Sequence, residues 1–405
     1  MPLHYHSPIY FLHYFLKREA SQFFVSIAIR NLALGMVLIF EPIYIYLHFG
    51  SSLPLTLLYF GIIHGLFGLM AFFFGGKIMA KVGLKHCMLL SHPFFLGNYI
   101  CLFFLPNFSW LIFFAIISRF LGMFFFWPAF HTDFVHFSEK EHRGRGVGGL
   151  NIAFIAPSVI SPIIGGWILA TSGYSALFIS VLCVLLASAL PLFLSRDTHQ
   201  VFTDSYQKTW KRIFKKENQK ITLALMAASF EGGIQIYLWP LFMFILAISY
   251  ESMGGIISFA VAVSALFTLY MGRITDRINH QKLLNTGSFL TSIAWVFKYF
   301  VVTPFEAFLV HSLYRIFQSA AGIPFQTIFY DKTAEKGQEL DEFIIYRETV
   351  INLSRCFLFL IFAGLFSLTS KLNIAFIMAA IFSLGFMFLG EPPWSKFKWR
   401  KKQKK

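Results

Sequence analysis

The sequence predicts an all-α integral membrane protein with twelve transmembrane helices. The prediction depends on its apolar composition, the length of its apolar runs and the distribution of its basic residues. Hydrophobic residues occupy 57% of the 405 positions and charged residues only 13%. A water-soluble domain carries about a quarter charged residues, so the surplus apolar surface requires lipid.

The apolar runs have the length of membrane-crossing helices. A spanning helix needs about 20 apolar residues, and runs of that size recur between short polar connections. Inside hydrocarbon only helices and closed barrels satisfy their own backbone groups, and most of these runs lack the period-two alternation of strands. The predicted spans are 21–48, 53–74, 86–105, 109–132, 147–170, 174–194, 221–247, 252–272, 283–303, 305–330, 345–369 and 372–390.

The basic residues predict the orientation of these spans. When the connections are assigned alternately to the two sides, 28 of the 34 Lys and Arg fall on the side of the N-terminus, five lie inside spans, and only Lys371 falls on the other side. Basic loops stay cytoplasmic, so we expect a multi-pass protein of the cell membrane with both termini in the cytoplasm and an even number of spans. The net charge of +15 then serves topology and attraction to anionic lipid, not nucleic-acid binding.

Three pairs of segments repeat at offsets of 196 to 198 residues. The pairs are 35–46 with 233–244, the segment from Arg119 to Pro128 with that from Arg315 to Pro324, and 76–83 with 272–279. Transporters often carry such internal repeats around a site at the membrane midplane. The expected divisions are an interfacial cytoplasmic segment 1–20, a six-helix bundle 21–194, a basic cytoplasmic linker 195–220, a second six-helix bundle 221–390 and a basic cytoplasmic tail 391–405.

On these features the chain resembles the major facilitator superfamily (MFS) over essentially its whole length. That family is similar in having six plus six helices, a long cytoplasmic linker and a Gly-x-x-x-Asp-Arg-x-Gly loop after the second span, often echoed after the eighth. The resemblance implies the MFS fold, in which two pseudo-symmetric six-helix bundles enclose a substrate cavity. The first copy of the loop departs from the pattern because Ala80 occupies the acidic position, whereas the second copy keeps Asp276.

A partial resemblance to the drug/proton antiporter branch adds a weaker indication of function. Arg119 with Gly122, and Arg315 with Gln318, each show part of that branch's fourth-helix Arg-x-x-Gln-Gly pattern, and 148–166 is similar to its fifth-helix pattern. The family resemblance also implies a cytoplasmic gate at the ends of the second, fourth, eighth and tenth spans. The gate candidates are Gly76, Lys81, Gly83, Asp133, Arg143, Arg145, Gly272, Asp276, Arg277 and Asp331.

Ionisable residues inside the spans are the candidates for transport chemistry, because each costs about 2.5 to 3.5 kcal/mol to insert. Glu231, followed by two glycines, is the first candidate for proton coupling, since a carboxyl group removed from water can exchange a proton in step with a conformational change. A structural ion pair with an arginine is the alternative. Glu41 is the second candidate, with an interfacial gate or snorkelling as its alternatives. Lys298 is expected to snorkel to the outer interface.

Spans 1, 4, 7 and 10 would line the cavity by the family resemblance. The expected cavity residues are Arg30, Arg119, Arg315, Arg355, Tyr44, Trp127, Tyr237 and Trp239. Structural pairing with Glu41 and Glu231 is the alternative role of Arg119 and Arg315. The excess of arginine over glutamate favours an anionic or zwitterionic substrate.

We therefore expect a proton-coupled secondary transporter that works by alternating access, acts as a monomer and needs no cofactor or metal. Its partners are a small-molecule substrate, protons and membrane lipid; efflux of amphipathic compounds and movement of a small organic anion both remain open. A non-transporting membrane receptor or assembly partner is one alternative, which the buried charges disfavour. An integral-membrane metalloenzyme is another, on the loosely spaced His131, Asp133, His136, Glu139 and His142.

The orientation can be tested by labelling intact cells with a membrane-impermeant maleimide, in a variant without the four native cysteines. A cysteine at Ser205 in the linker should react only after the membrane is opened, whereas one at Lys371 should react in intact cells. External labelling of the linker would contradict the predicted topology.

Overall fold

The computed structural model describes the backbone of residues 19–140, 143–194, 211, 215–275, 279–334, 340–369 and 371–390. Within these ranges side chains are described except at 19–21, 134–140, 143–153, 194, 217, 269–275, 330–334 and 340–341. The predicted N-terminal segment, most of the linker and the C-terminal tail lie outside the described residues.

Every regular element in the described ranges is helical. The helices of the first half are Glu19–Leu38, Glu41–His48, Leu53–Val82, Leu84–Phe104, Leu111–Lys140 and Arg143–Leu194. Those of the second half are Gln219–Gly233, Trp239–Ile245, Tyr250–Thr275, His280–Tyr299, Pro304–Ala334, Leu340–Leu368 and Ile374–Leu384, with a π-helical turn at Ile234–Leu238 and 3₁₀ turns at Lys216–Asn218 and Gly385–Leu389.

Eight helical segments of the described chain are long and apolar enough to cross a membrane. One of them, Phe154–Phe193, has 40 residues and is interrupted by Gly173, whose φ of 76° breaks the helix, so it accommodates two crossings. The helices His280–Tyr299 and Pro304–Ala334 and the shorter apolar segment Ile374–Leu389 complete a set consistent with the twelve predicted spans. The fold class predicted from the sequence, an all-helical membrane protein, is confirmed.

The expectation of a loop at 76–83 is wrong. The helix of the second span continues to Val82, and only Gly83, with φ of 88°, separates it from the next helix, Leu84–Phe104. Gly76 and Lys81 therefore lie in the last turns of a helix. The reason is local: no proline interrupts 76–82, and after Gly76 the next residue that readily adopts the positive φ needed to end the helix is Gly83.

The outer surface of the bundle is apolar, as lipid contact requires. Leu190, Phe193, Leu266 and Phe305 are each 65% or more exposed. The polar groups instead lie inside the bundle, where Arg30, Glu41, Glu231 and Lys298 are buried. This distribution is the inverse of a soluble protein's and concentrates the chemistry between the helices.

Each half is held by its own helix pairs, and the two most extensive pairs between the halves in the described chain involve the second and fifth spans. The first span packs on the fifth and the third on the fourth, while in the second half the ninth and tenth spans pair. The second span packs on the eleventh, and the fifth on the eighth, across the boundary between the halves. We call the end of the bundle where the sixth span stops and the seventh begins the linker end, and the opposite one the far end.

Glycines permit the closest of these helix contacts. A Cβ added at Gly165 would overlap the carbonyl oxygen of Met36 on the first span. Between the halves, Gly61, Gly65, Gly68 and Gly75 of the second span form a stripe that faces side chains of the eleventh. Small residues at such positions let helix backbones approach closely within the membrane.

Substitution of Gly165 by alanine should destabilise the protein by about 1 to 3 kcal/mol, because the new methyl group has no space beside the first span. The measurement is thermal unfolding of the purified protein in detergent. Gly255→Ala is the matched control, since a Cβ there meets nothing within 4 Å. Equal melting temperatures for the two variants would contradict the packing.

Candidate functional site

An ion pair occupies the interior of the first half. Glu41 is the first residue of the helix that resumes after the break at Ile39 and Phe40, so this break places its carboxylate inside the bundle. Arg119 Nη2 lies 3.3 Å from Glu41 Oε2, and Arg119 Nη1 donates to the hydroxyl of Tyr99 at 3.0 Å. That hydroxyl in turn donates to Glu41 Oε2 at 3.5 Å. Arg119 therefore has the pairing role that we kept as its alternative.

Arg30 is buried on the first span, as Glu41 is, and forms no ion pair with a carboxylate of the described residues. Its guanidinium carbon lies 3.3 Å from the ring centroid of Phe126 and 4.8 Å from that of Phe95. Two of its nitrogens, Nε and Nη2, are buried and have no hydrogen-bond partner. Ring faces stabilise a cation electrostatically, which offsets part of the cost of removing it from water.

Glu231 is held in the second half by neutral donors. Trp295 Nε1 and the Tyr314 hydroxyl both donate to Oε1, at 2.8 and 2.6 Å. No ion pair joins Glu231 to Arg315 in the described structure, and in the repeat Glu231 matches Ala33 and not Glu41. The expected alternative, pairing of Arg315 with Glu231, is therefore not the arrangement found. The two donors leave Oε2 without a hydrogen bond to any described residue.

The expectation that Lys298 snorkels to the outer interface is wrong. Lys298 is fully buried, and its ammonium lies 3.6, 3.9 and 4.4 Å from the ring centroids of Tyr314, Trp295 and Trp239. Its Nζ donates to Gln235 Oε1 at 2.6 Å. The ring cage and this amide replace the water that the side chain would otherwise seek. Trp295 and Tyr314 thus contact both Lys298 and Glu231.

A polar chain crosses the boundary between the halves. His64 of the second span contacts Asn352 Oδ1 of the eleventh through Nδ1 at 2.8 Å, and the hydroxyl of Tyr237 of the seventh through Nε2 at 2.9 Å. Asn352 Nδ2 donates to the carbonyl oxygen of Glu348 at 2.9 Å. These hydrogen bonds link the second span of the first half to the seventh and eleventh spans of the second half.

Glu348 extends this chain toward the linker end. Its carboxylate is paired with Arg347, and Oε1 lies 3.8 Å from His131 Nε2 of the fourth span. Among the described side chains, no group of three His, Cys, Asp or Glu residues is placed to hold a metal ion. Of the five residues behind the metalloenzyme alternative, only His131 and Asp133 have described side chains.

The remaining expected cavity residues fall into three places. Trp127 stacks on His131, Trp239 stacks on His311 in the second half, and Tyr44 lies against Tyr174 and Phe178. The Tyr44 hydroxyl donates to the Leu102 carbonyl, so this residue is a packing element of the first half.

Two arginines of the second half retain free donors. Arg355 lies against Gly232 and Gly233 of the seventh span, where the absence of side chains gives it room. The Nε atoms of both Arg315 and Arg355 are buried without a hydrogen-bond partner. Each of these two arginines therefore has at least one buried nitrogen that no described residue satisfies.

The predicted gate is only partly described. Gly76, Lys81 and Gly83 lie at the linker end of the second helix, and Asp133 is buried. Arg143, Arg145, Gly272 and Asp331 lie on helical backbone, but their side chains are outside the described set. Asp276 and Arg277 lie outside the described residues altogether.

Sequence reasoning missed several members of the site. His64 and Asn352 lie inside predicted spans and could have been found by considering every hydrogen-bonding side chain there. Glu348 is itself ionisable and lies inside the predicted span 345–369, so selection by charge should have included it. Tyr99, Trp295 and Tyr314 gave no such signal, since aromatic residues make up 19% of the chain.

Comparisons with known proteins agree with this architecture. The family model of the Major Facilitator Superfamily matches residues 23–340. A "Multi-drug resistance efflux pump PmrA homolog" of Lactococcus lactis subsp. lactis is 24% identical over 300 residues, which cover 67% of this chain and 70% of that protein. A crystal structure of a D-xylose-proton symporter superposes with a TM-score of 0.66 at 13% identity, over 91% of this chain and 97% of that one.

The two buried carboxylates should differ in their contribution to stability. Glu41→Gln leaves Arg119 as an uncompensated charge and should lower the free energy of unfolding by about 3 to 5 kcal/mol. Glu231→Gln keeps an oxygen that accepts from the same neutral donors and should lower it by about 1 kcal/mol. Thermal unfolding in detergent measures both. The double variant Glu41→Gln/Arg119→Gln should regain part of the loss; equal destabilisation by the two single variants would contradict the assignment.

Proposed function

The chain belongs to the major facilitator superfamily, and from that premise we propose that it is a secondary transporter that moves a small solute by alternating access and couples this movement to a proton at Glu231. The observation that carries the proposal is the environment of Glu231. It is 3% exposed, and its hydrogen-bond donors among the described residues are the neutral groups of Trp295 and Tyr314. A carboxyl group in this setting can gain or lose a proton without breaking an ion pair.

Glu41 is the less suitable proton carrier. A proton on its carboxylate would compete with the charge of Arg119 at 3.3 Å and would leave that arginine unpaired in the bundle. We therefore assign Glu41 a structural role in the first half. We place proton coupling in the second half, where neutral side chains bind the carboxylate of Glu231 and the ammonium of Lys298.

Lys298 supplies the charge that responds to Glu231. The two side chains share Trp295 and Tyr314, whose rings contact the ammonium and whose N–H and O–H groups bind the carboxylate. Protonation of Glu231 removes a negative charge from the polar edges of these two rings. The cage around Lys298 would then be less favourable for a cation, which gives the proton a means of changing the packing of the seventh, ninth and tenth spans.

The contacts between the halves suit a rocking motion. At the far end Gly254 approaches the Pro162 carbonyl, and Gly166 approaches the Tyr250 carbonyl. Phe40 also packs edge-on against Tyr250. We infer that bundles 21–194 and 221–390 separate and rejoin here as the cavity opens to either face. Both termini and the linker would lie in the cytoplasm and the cell membrane would hold a functional monomer.

The substrate carries an acidic group in this proposal. Arg30, Arg315 and Arg355 each have buried nitrogens without a hydrogen-bond partner and no ion pair among the described residues. An anion entering between the halves would satisfy them. Efflux of amphipathic compounds is the second candidate, favoured by the name of the Lactococcus lactis relative. An amphipathic organic acid fits both candidates, because it has an acidic group for the arginines and an apolar body.

Proton coupling is tested in proteoliposomes with a pH gradient. Wild-type protein should accumulate a radiolabelled organic acid against its gradient, while Glu231→Gln should lose accumulation yet retain exchange of labelled for unlabelled acid, because exchange needs no net proton release. The matched control is Glu251→Gln, a change at an exposed carboxylate on the far end. Gradient-driven accumulation by Glu231→Gln at the wild-type rate would refute the role of this residue.

A further inference from the structure

Arg30 presents an unused recognition edge inside the first half. The residue is 2% exposed, and Nε and Nη2 are the two of its nitrogens that are buried without a partner. These two atoms lie on the same side of the planar guanidinium, where their N–H bonds run parallel. This side edge matches the two oxygens of a carboxylate, which can accept both hydrogen bonds at once.

Arg119 shows what a satisfied arginine looks like in the same half. Its Nη2 contacts Glu41 and its Nη1 donates to Tyr99. Glu41 Oε2 is thereby engaged, while Glu41 Oε1 is buried without a hydrogen-bond partner among the described residues, and no acidic side chain forms an ion pair with Arg30 in the described part of the chain. His92, also in this half, is bonded to Ser188 and to the Met88 carbonyl. The side edge of Arg30 is thus left for a group that no described residue supplies.

The surroundings of Arg30 indicate the rest of the ligand. The rings of Phe126, Phe95 and Trp127 lie 3.3, 4.8 and 5.9 Å from the guanidinium carbon. Gly122 leaves room for the Phe95 ring, since a Cβ there would lie 3.0 Å from it. Aromatic walls around a bidentate donor favour an apolar body attached to a carboxylate over a small hydrophilic anion.

We propose that Arg30 is the carboxylate receptor of the transport site, where Nε and Nη2 bind the acid group of an organic acid whose apolar body lies among Phe95, Phe126 and Trp127. The inference rests on the proposed transport function, because the edge is closed in this conformation and the acid enters when the halves rock apart. It narrows the substrate to monocarboxylic acids with an aromatic or aliphatic body.

The test is ligand-induced thermal stabilisation of the purified protein. The probes are benzoate, phenylacetate and 3-phenylpropanoate, each compared with its amide, which has the same body without the charge. A ligand that binds the folded state raises the melting temperature in a concentration-dependent way. At least one acid should stabilise the wild type and its amide should not. Stabilisation by none of the acids, or equally by an acid and its amide, overturns the proposal without any variant.

Arg30→Lys then separates bidentate binding from simple attraction of charge. Lysine keeps the positive charge but has no planar fork, so the affinity for the acid should fall about tenfold or more. Lys371→Gln, at an exposed position on the far end, should bind like the wild type. Unchanged affinity in Arg30→Lys overturns the proposal. Glu231→Gln should still bind the acid, so loss of proton coupling and loss of the Arg30 site are measured independently.

Discussion

The scarcity of water inside the bilayer is the constraint on which the rest of this structure depends. A charged side chain placed there must find its stabilisation within the protein. The chain uses three solutions: an ion pair for Arg119 and Glu41, neutral hydrogen-bond donors for Glu231, and aromatic faces for Arg30 and Lys298. The first fixes two charges against each other. The other two leave charges that can still respond to a proton or to a ligand.

The two halves repeat in sequence but differ in how they handle charge. Arg119 and Arg315 occupy matching positions, yet of the two only Arg119 forms an ion pair with a carboxylate of the described residues. The buried carboxylate of the second half, Glu231, does not match Glu41 in the repeat and is held by Trp295 and Tyr314. Under the proposed function the acid group binds at Arg30 in the first half and the proton at Glu231 in the second, and the hydrogen bonds of His64 join the two halves.

Span positions were predictable because they depend on the local density of apolar residues, and the ends mostly agree within a few residues. The helical continuation through Gly76 to Val82 was not, since a hydropathy pattern marks where lipid ends and not where a helix ends. Among the site residues, the buried Arg and Glu could be selected from the sequence, because a charged side chain inside the membrane has a high free-energy cost. Partner choice could not, because it depends on which of many aromatic side chains a helix rotation brings close, as the cage around Lys298 illustrates.

The π-helical turn at Ile234–Leu238 gives the seventh span two separate tasks. Within it Gln235 reaches Lys298 on the ninth span while Tyr237 reaches His64 across the boundary. Such a turn holds one more residue than an α-helical turn, and each residue of an α-helix rotates the chain by about 100°. The extra residue therefore sets the angular phase between the two parts of the span. The number of residues in this turn therefore determines whether one helix can contact both Lys298 and the His64 side chain at the boundary between the halves.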